Sequence, residues 1–107
     1  MSEYRELIEI YGKSVGDFNV SPFESIDMLH VRSKLASIFH ELTSEEKTKL
    51  LSYDLILIKN SLKMSEHIGN VYDFSMSKES DSFWWWHLDK VAKGELSFNL
   101  HVENMVI

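Results

Sequence analysis

The sequence contains no cysteine, only 1 proline and only 4 glycines in 107 residues. Without cysteine there is no disulfide framework, no thiol nucleophile and no thiolate metal site, and a reducing compartment is expected. So few glycines and prolines leave few obligatory breaks, which argues against a β-sandwich punctuated by turns about every ten residues. Long apolar runs are missing too. The longest, such as Leu55 to Ile58, fall far short of the roughly 20 residues that span a bilayer. The opening MSEYRELIEIYGK is charged from its third residue and lacks the basic-then-apolar order of a secretory signal. A cytoplasmic protein without a membrane partner is the expectation.

Positive charge is scarce: 11 Lys and Arg against 17 Asp and Glu leave a net charge of −6. Nucleic-acid binding needs a basic footprint and is not expected. The imbalance sits in residues 1–31 and 64–107, each at −4, while residues 32–63 carry +2. Such a surface keeps a small domain soluble and can steer a basic partner.

Chemical signatures are also lacking. The histidines (His30, His40, His67, His87 and His101) are scattered, with no HExxH motif and no pair four residues apart. No serine stands in a GxSxG context. Glycines at 12, 16, 69 and 94 are too dispersed for a phosphate-binding loop. Neither a cofactor nor a resident metal is expected, and the chain does not read as an enzyme.

What is present is helical periodicity. Tyr4, Leu7, Ile8 and Tyr11 follow the i, i+3, i+4, i+7 pattern of an amphipathic helix, which Gly16 can stop. Ser21-Pro22-Phe23-Glu24 combines a capping serine, a proline suited to the first helical position and a glutamate that completes a capping box. From there Met28, Val31, Leu35, Ile38, Phe39 and Leu42 predict a rod from Pro22 to Leu42, roughly 30 Å long. Thr43-Ser44-Glu45-Glu46 begins a second box at once, so two helices must meet at a sharp corner. The next helix carries Leu51, Leu55, Ile58 and Leu62 on one stripe, and Leu55 to Ile58 make it apolar all round, the mark of a buried central helix. A last helix is expected from Asp81 or Ser82 to Gly94, with Lys90 and Lys93 placed to favour its C-terminus. Beyond it, Leu96, Phe98, Leu100 and Val102 alternate with polar residues, as in a half-buried extended segment. The fold class that follows is all-α: residues 1–107 as a single domain, a compact bundle of four or five helices with a short extended C-terminal segment.

Three adjacent tryptophans, Trp84, Trp85 and Trp86, pose a geometric problem. Successive helical side chains point about 100° apart, so the rings fan too widely for one core to receive them all. Either the C-terminal segment folds over the outer rings, or one of them, Trp86, stays at the surface beside Glu79, Asp81 and Asp89. An aromatic ringed by acids has the anatomy of a protein interface, and its ring face suits a partner's lysine or arginine.

Asp54 lies in the most apolar window of the chain. A carboxylate there must be hydrogen-bonded, ion-paired or protonated, and Tyr53, His87 and Arg32 are candidate partners. Two functional expectations result. The first is an acidic protein-binding module that contacts a basic protein through Trp86, Glu79, Asp81 and Asp89, an inhibitor of the same physical type as immunity proteins and antitoxins. The second is a small metal-dependent enzyme or ligand-binding bundle using Glu24, Asp27, His30 and Asp54. A homodimer joined through the C-terminal segment is compatible with either.

Overall fold

The computed structural model describes residues 4–80 and 82–95, and these form an all-α bundle of five helices. The C-terminal segment from Leu96 onward lies outside the described residues, so the expected extended lid does not enter the description.

Helix α1 (Arg5–Ser14) buries Ile8 and Tyr11, with Val15 sealed just beyond its end. Helix α2 (Pro22–Ser37) starts at the predicted capping box: the Ser21 hydroxyl accepts from the Glu24 amide, and the Glu24 carboxylate accepts from the Ser21 amide at 3.0 Å. It ends earlier than predicted. Ile38 leaves helical geometry at φ −115°, ψ 15°, and Phe39–Glu41 form a 3-10 turn instead. This tighter winding accommodates the corner before Thr43, and it shortens the rod expected to reach Leu42.

The Thr43–Glu46 box opens α3 (Ser44–Lys59) as predicted. Here the stripe read from sequence is rotated. Leu50, Leu51, Asp54 and Leu57 are buried, whereas Leu55 and Ile56 are exposed, so the helix is half-buried rather than enclosed on all sides. At Asn60 the helix breaks (φ −95°, ψ 11°) and a separate α4 (Ser61–Ile68) follows without a loop. The break turns Ser61, Met64 and Ile68 inward and leaves Leu62 62% exposed.

Two 3-10 turns, Phe74–Met76 and Trp84–His87, precede a short α5 (Leu88–Lys93). Gly94 closes it at φ 72°, the left-handed conformation that glycine adopts without a Cβ clash.

The pairings fix the arrangement. Glu9 meets Lys49, Tyr11 meets Asp54 and Val15 meets Asn60, so α1 and α3 run parallel. Tyr4 near the start of α1 reaches Glu41 just after α2, so those two elements run antiparallel. Helices α4 and α5 pack together on the other side. Tyr11, Leu29, Leu35, Leu50, Leu57, Met64, Ile68 and Leu88 share one core with the three tryptophans. Among the described residues no helix is long and apolar enough to cross a membrane.

Candidate functional site

Asp54 is fully enclosed and accepts three hydrogen bonds. Arg32 grips it with both ends of its fork, Nε to Oδ1 at 2.8 Å and Nη2 to Oδ2 at 2.9 Å, and the Tyr11 hydroxyl donates to Oδ1 at 2.5 Å. Of the partners considered from sequence, Arg32 is the one in place, and Tyr11 joins it from α1. Burial pushes the Asp54 carboxyl above its ordinary value, while Arg32 and Tyr11 pull it back. Burial, with Asp54 beside it, also drives the Tyr11 phenol well above its ordinary value, so it remains a donor. Both oxygens of this carboxylate are engaged by a guanidinium and a phenol, and the group is sealed from any arriving substrate. Its chemistry is structural.

The same arginine reaches the tryptophans. Its guanidinium carbon sits 4.3 Å from the centroid of the Trp85 ring, a cation–π contact in a desolvated setting. The next residue of α2, Ser33, accepts two of the indoles on one hydroxyl: Trp85 Nε1 at 2.9 Å and Trp86 Nε1 at 2.8 Å. Trp84 packs edge-on to Trp85 at 5.6 Å. Trp86 is bracketed by His30 of α2 at 5.0 Å and Tyr72 at 5.5 Å.

Trp84, Trp85 and Trp86 are thus 3%, 2% and 5% exposed. The expectation that Trp86 stands at the surface is corrected. Its ring packs against His30 of α2 on one side and against Tyr72 on the other. The 3-10 turn makes this possible because it lies between layers rather than on top of one, so rings leaving it in different directions all meet protein.

Above Trp86 lies a groove of about 310 Å³ lined by Ile26, His30, Tyr72, Lys78, Glu79 and Trp86. Helix α2 supplies one wall, through Ile26 and His30. Tyr72, Lys78 and Glu79 supply the other, and that loop is fastened by the Glu79 carbonyl, which lies 2.8 Å from His87 Nε2. Phe23, one turn before Ile26 on the same face of α2, is 66% exposed. Met76, in the turn between Tyr72 and Lys78, is 70% exposed. Bare apolar side chains therefore flank both walls.

Of the four contact residues expected from sequence, Trp86 and Glu79 meet in this groove. Asp89 does not line it. It sits half-buried on α5, with Oδ1 enclosed and without a hydrogen-bond partner among the described residues. Asp81 lies outside the described residues. Tyr72 and Ile26 were not legible as site residues, because only the tertiary fold lays the loop at 72–79 across α2.

The residues of the alternative expectation do not come together. The Glu24 carboxylate caps α2, Asp54 is held by Arg32 and Tyr11 in the core, and His30 is exposed beside Trp86. Among the described residues no three His, Cys, Asp or Glu side chains converge in a way that could hold a metal ion.

A second cavity, about 260 Å³, opens between α1 and the start of α3, lined by charged residues including Arg5, Glu9, Glu45, Glu46 and Lys49. Its charges largely serve one another. Lys49 pairs with Glu9, which holds the Glu9 carboxyl below and the Lys49 ammonium above their ordinary values, and Glu46 completes the Thr43 box. Compared with known proteins, the chain matches no family model, no curated protein and no solved structure.

Proposed function

We propose that this chain is a small acidic protein-binding module of the cytoplasm, an inhibitor or escort of the immunity-protein or antitoxin type that masks a basic surface of its partner. The observation that carries this reading is the groove over Trp86, with an aromatic floor, Glu79 at its mouth and exposed Phe23 and Met76 beside its walls. Buried aromatic anchors ringed by apolar and then polar side chains are the usual composition of interface hot spots. The net charge of −6 adds long-range attraction toward a basic partner. Asp54 and its neighbours make no comparable case for catalysis, since every functional atom of that carboxylate is already engaged.

Because Trp86 belongs to the core, truncating it would damage the fold itself, and the test belongs at the rim. A photoreactive phenylalanine analogue is placed singly at Phe23, at Met76 and, on the exposed side of α1, at Ile10. Irradiation in the native cell is expected to crosslink one and the same basic protein from Phe23 and Met76 and not from Ile10. Equal capture from Ile10, or capture of different proteins from the two rim positions, would remove the groove from consideration.

A further inference from the structure

We propose that the groove over Trp86 is a receptor for a single arginine side chain of the partner, an inference that rests on the protein-binding reading above. The chain contains an internal precedent. Arg32 is held between an indole face and a carboxylate, 4.3 Å over Trp85 and bidentate to Asp54. One layer further out, the groove offers the same two components without an arginine. Tyr72 and Trp86 supply the aromatic surface, tilted at 57° to each other, and Glu79 supplies the carboxylate. Among the described residues the Glu79 side chain has no hydrogen-bond or ion-pair partner, and the residue is held in place through its backbone carbonyl instead.

Size points the same way. A volume of about 310 Å³ stands at the lower end of ligand sites, room for one long side chain rather than a cofactor. The lining itself carries one carboxylate, Glu79, and one ammonium, Lys78, so it is the unpaired carboxylate beside the rings, rather than the net charge of the groove, that selects the visitor. Trp86 is nearly sealed, so the ring face open to a visitor belongs to the half-buried Tyr72. A planar guanidinium can stack on that phenol ring and still present a fork to the carboxylate. A lysine ammonium, compact and strongly hydrated, can do only one of these well.

The test is an NMR titration of the whole chain with three blocked tripeptides, acetyl-Gly-Xaa-Gly-amide with arginine, lysine or leucine in the centre. The arginine peptide is expected to shift the Trp86 indole N–H and the Tyr72 ring signals, and to bind more tightly than the other two. Glu79→Gln should weaken it about fivefold, the scale of one partly exposed ion pair, and Lys78→Ala should tighten it. Both positions are exposed, so thermal melting should be unchanged and the comparison remains interpretable. Equal binding of the leucine peptide, or indifference to Glu79→Gln, would overturn the arginine assignment while the crosslinking experiment still judged the groove. Absence of any shift with all three peptides would overturn it as well. Failure of crosslinking at both rim positions, in contrast, would sink the protein-binding reading on which it stands.

Discussion

At the scale of single residues, the decisive pair is Arg32 and Asp54. A carboxylate sealed from water is tolerable only because a guanidinium and a phenol replace its hydration. Removing one partner leaves the other buried and uncompensated, so Arg32→Met should lower unfolding free energy by about 3–5 kcal/mol. Replacing both, as Arg32→Met with Asp54→Leu, should recover most of that loss in urea denaturation, since two apolar side chains of similar bulk need no counter-charge. A double variant as unstable as the single one would show that Arg32 acts mainly through its contact with Trp85. Half of this network was legible in the sequence. An acid in an apolar window requires compensation, and Arg32 was a candidate. Tyr11 was not, because it lies 43 positions away from Asp54 and only the parallel packing of α1 on α3 brings it there.

At the scale of elements, the capped starts of α2 and α3 were legible. The end of α2, the break after α3 and the start of α5, expected at Asp81 or Ser82 and found at Leu88, were not. A capping box is a local hydrogen-bond pattern among four residues, so Ser21–Glu24 and Thr43–Glu46 announce themselves before any tertiary contact is known. Gly94 is local in the same way. The early end of α2 and the break at Asn60 answer to distant demands, a corner to be turned and an Asn60 amide that donates to the Val15 carbonyl across the bundle at 3.4 Å. Periodicity alone runs straight through them, which is why Leu62 was placed on an inward stripe. The close seam between α1 and α3 was equally invisible. At Gly12 the helices approach so tightly that a Cβ would stand 2.4 Å from carbons of the Tyr53 ring. Gly12→Ala should therefore destabilise the protein by about 1–3 kcal/mol, as overpacking does, despite the better helix propensity of alanine. A raised melting temperature in that variant would mean that Tyr53 swings aside freely.

At the scale of the whole molecule, the fold class was legible from composition and period, and the fate of the tryptophans was not. The expectation treated the aromatic run as a helix lying on a core. Placing a 3-10 turn between α2 and the 72–76 segment removes that premise, and with it the exposed ring. Global stability should also bear the mark of Asp54. Because burial raises its pKa above 3.8, the folded chain binds that proton more readily than the unfolded one. Its contribution to stability is fully present below about pH 4 and is lost as pH rises through the folded value. Asp54→Asn deletes this falling component, so its urea midpoint should climb more steeply with pH than that of the parent from about pH 4 upward. Glu9, lowered by Lys49, acts with the opposite sign in both proteins and cancels from the comparison. Parallel profiles would mean that Asp54 keeps the same proton affinity in both states.

One hydroxyl has an outsized effect on what a visitor to this surface would meet. Ser33 tethers two indoles at once, and Arg32 beside it clamps the first of them from beneath. The seat is thus finished before anything sits in it. Whatever docks there would have to bring its own shape and bear alone the loss of freedom that association imposes.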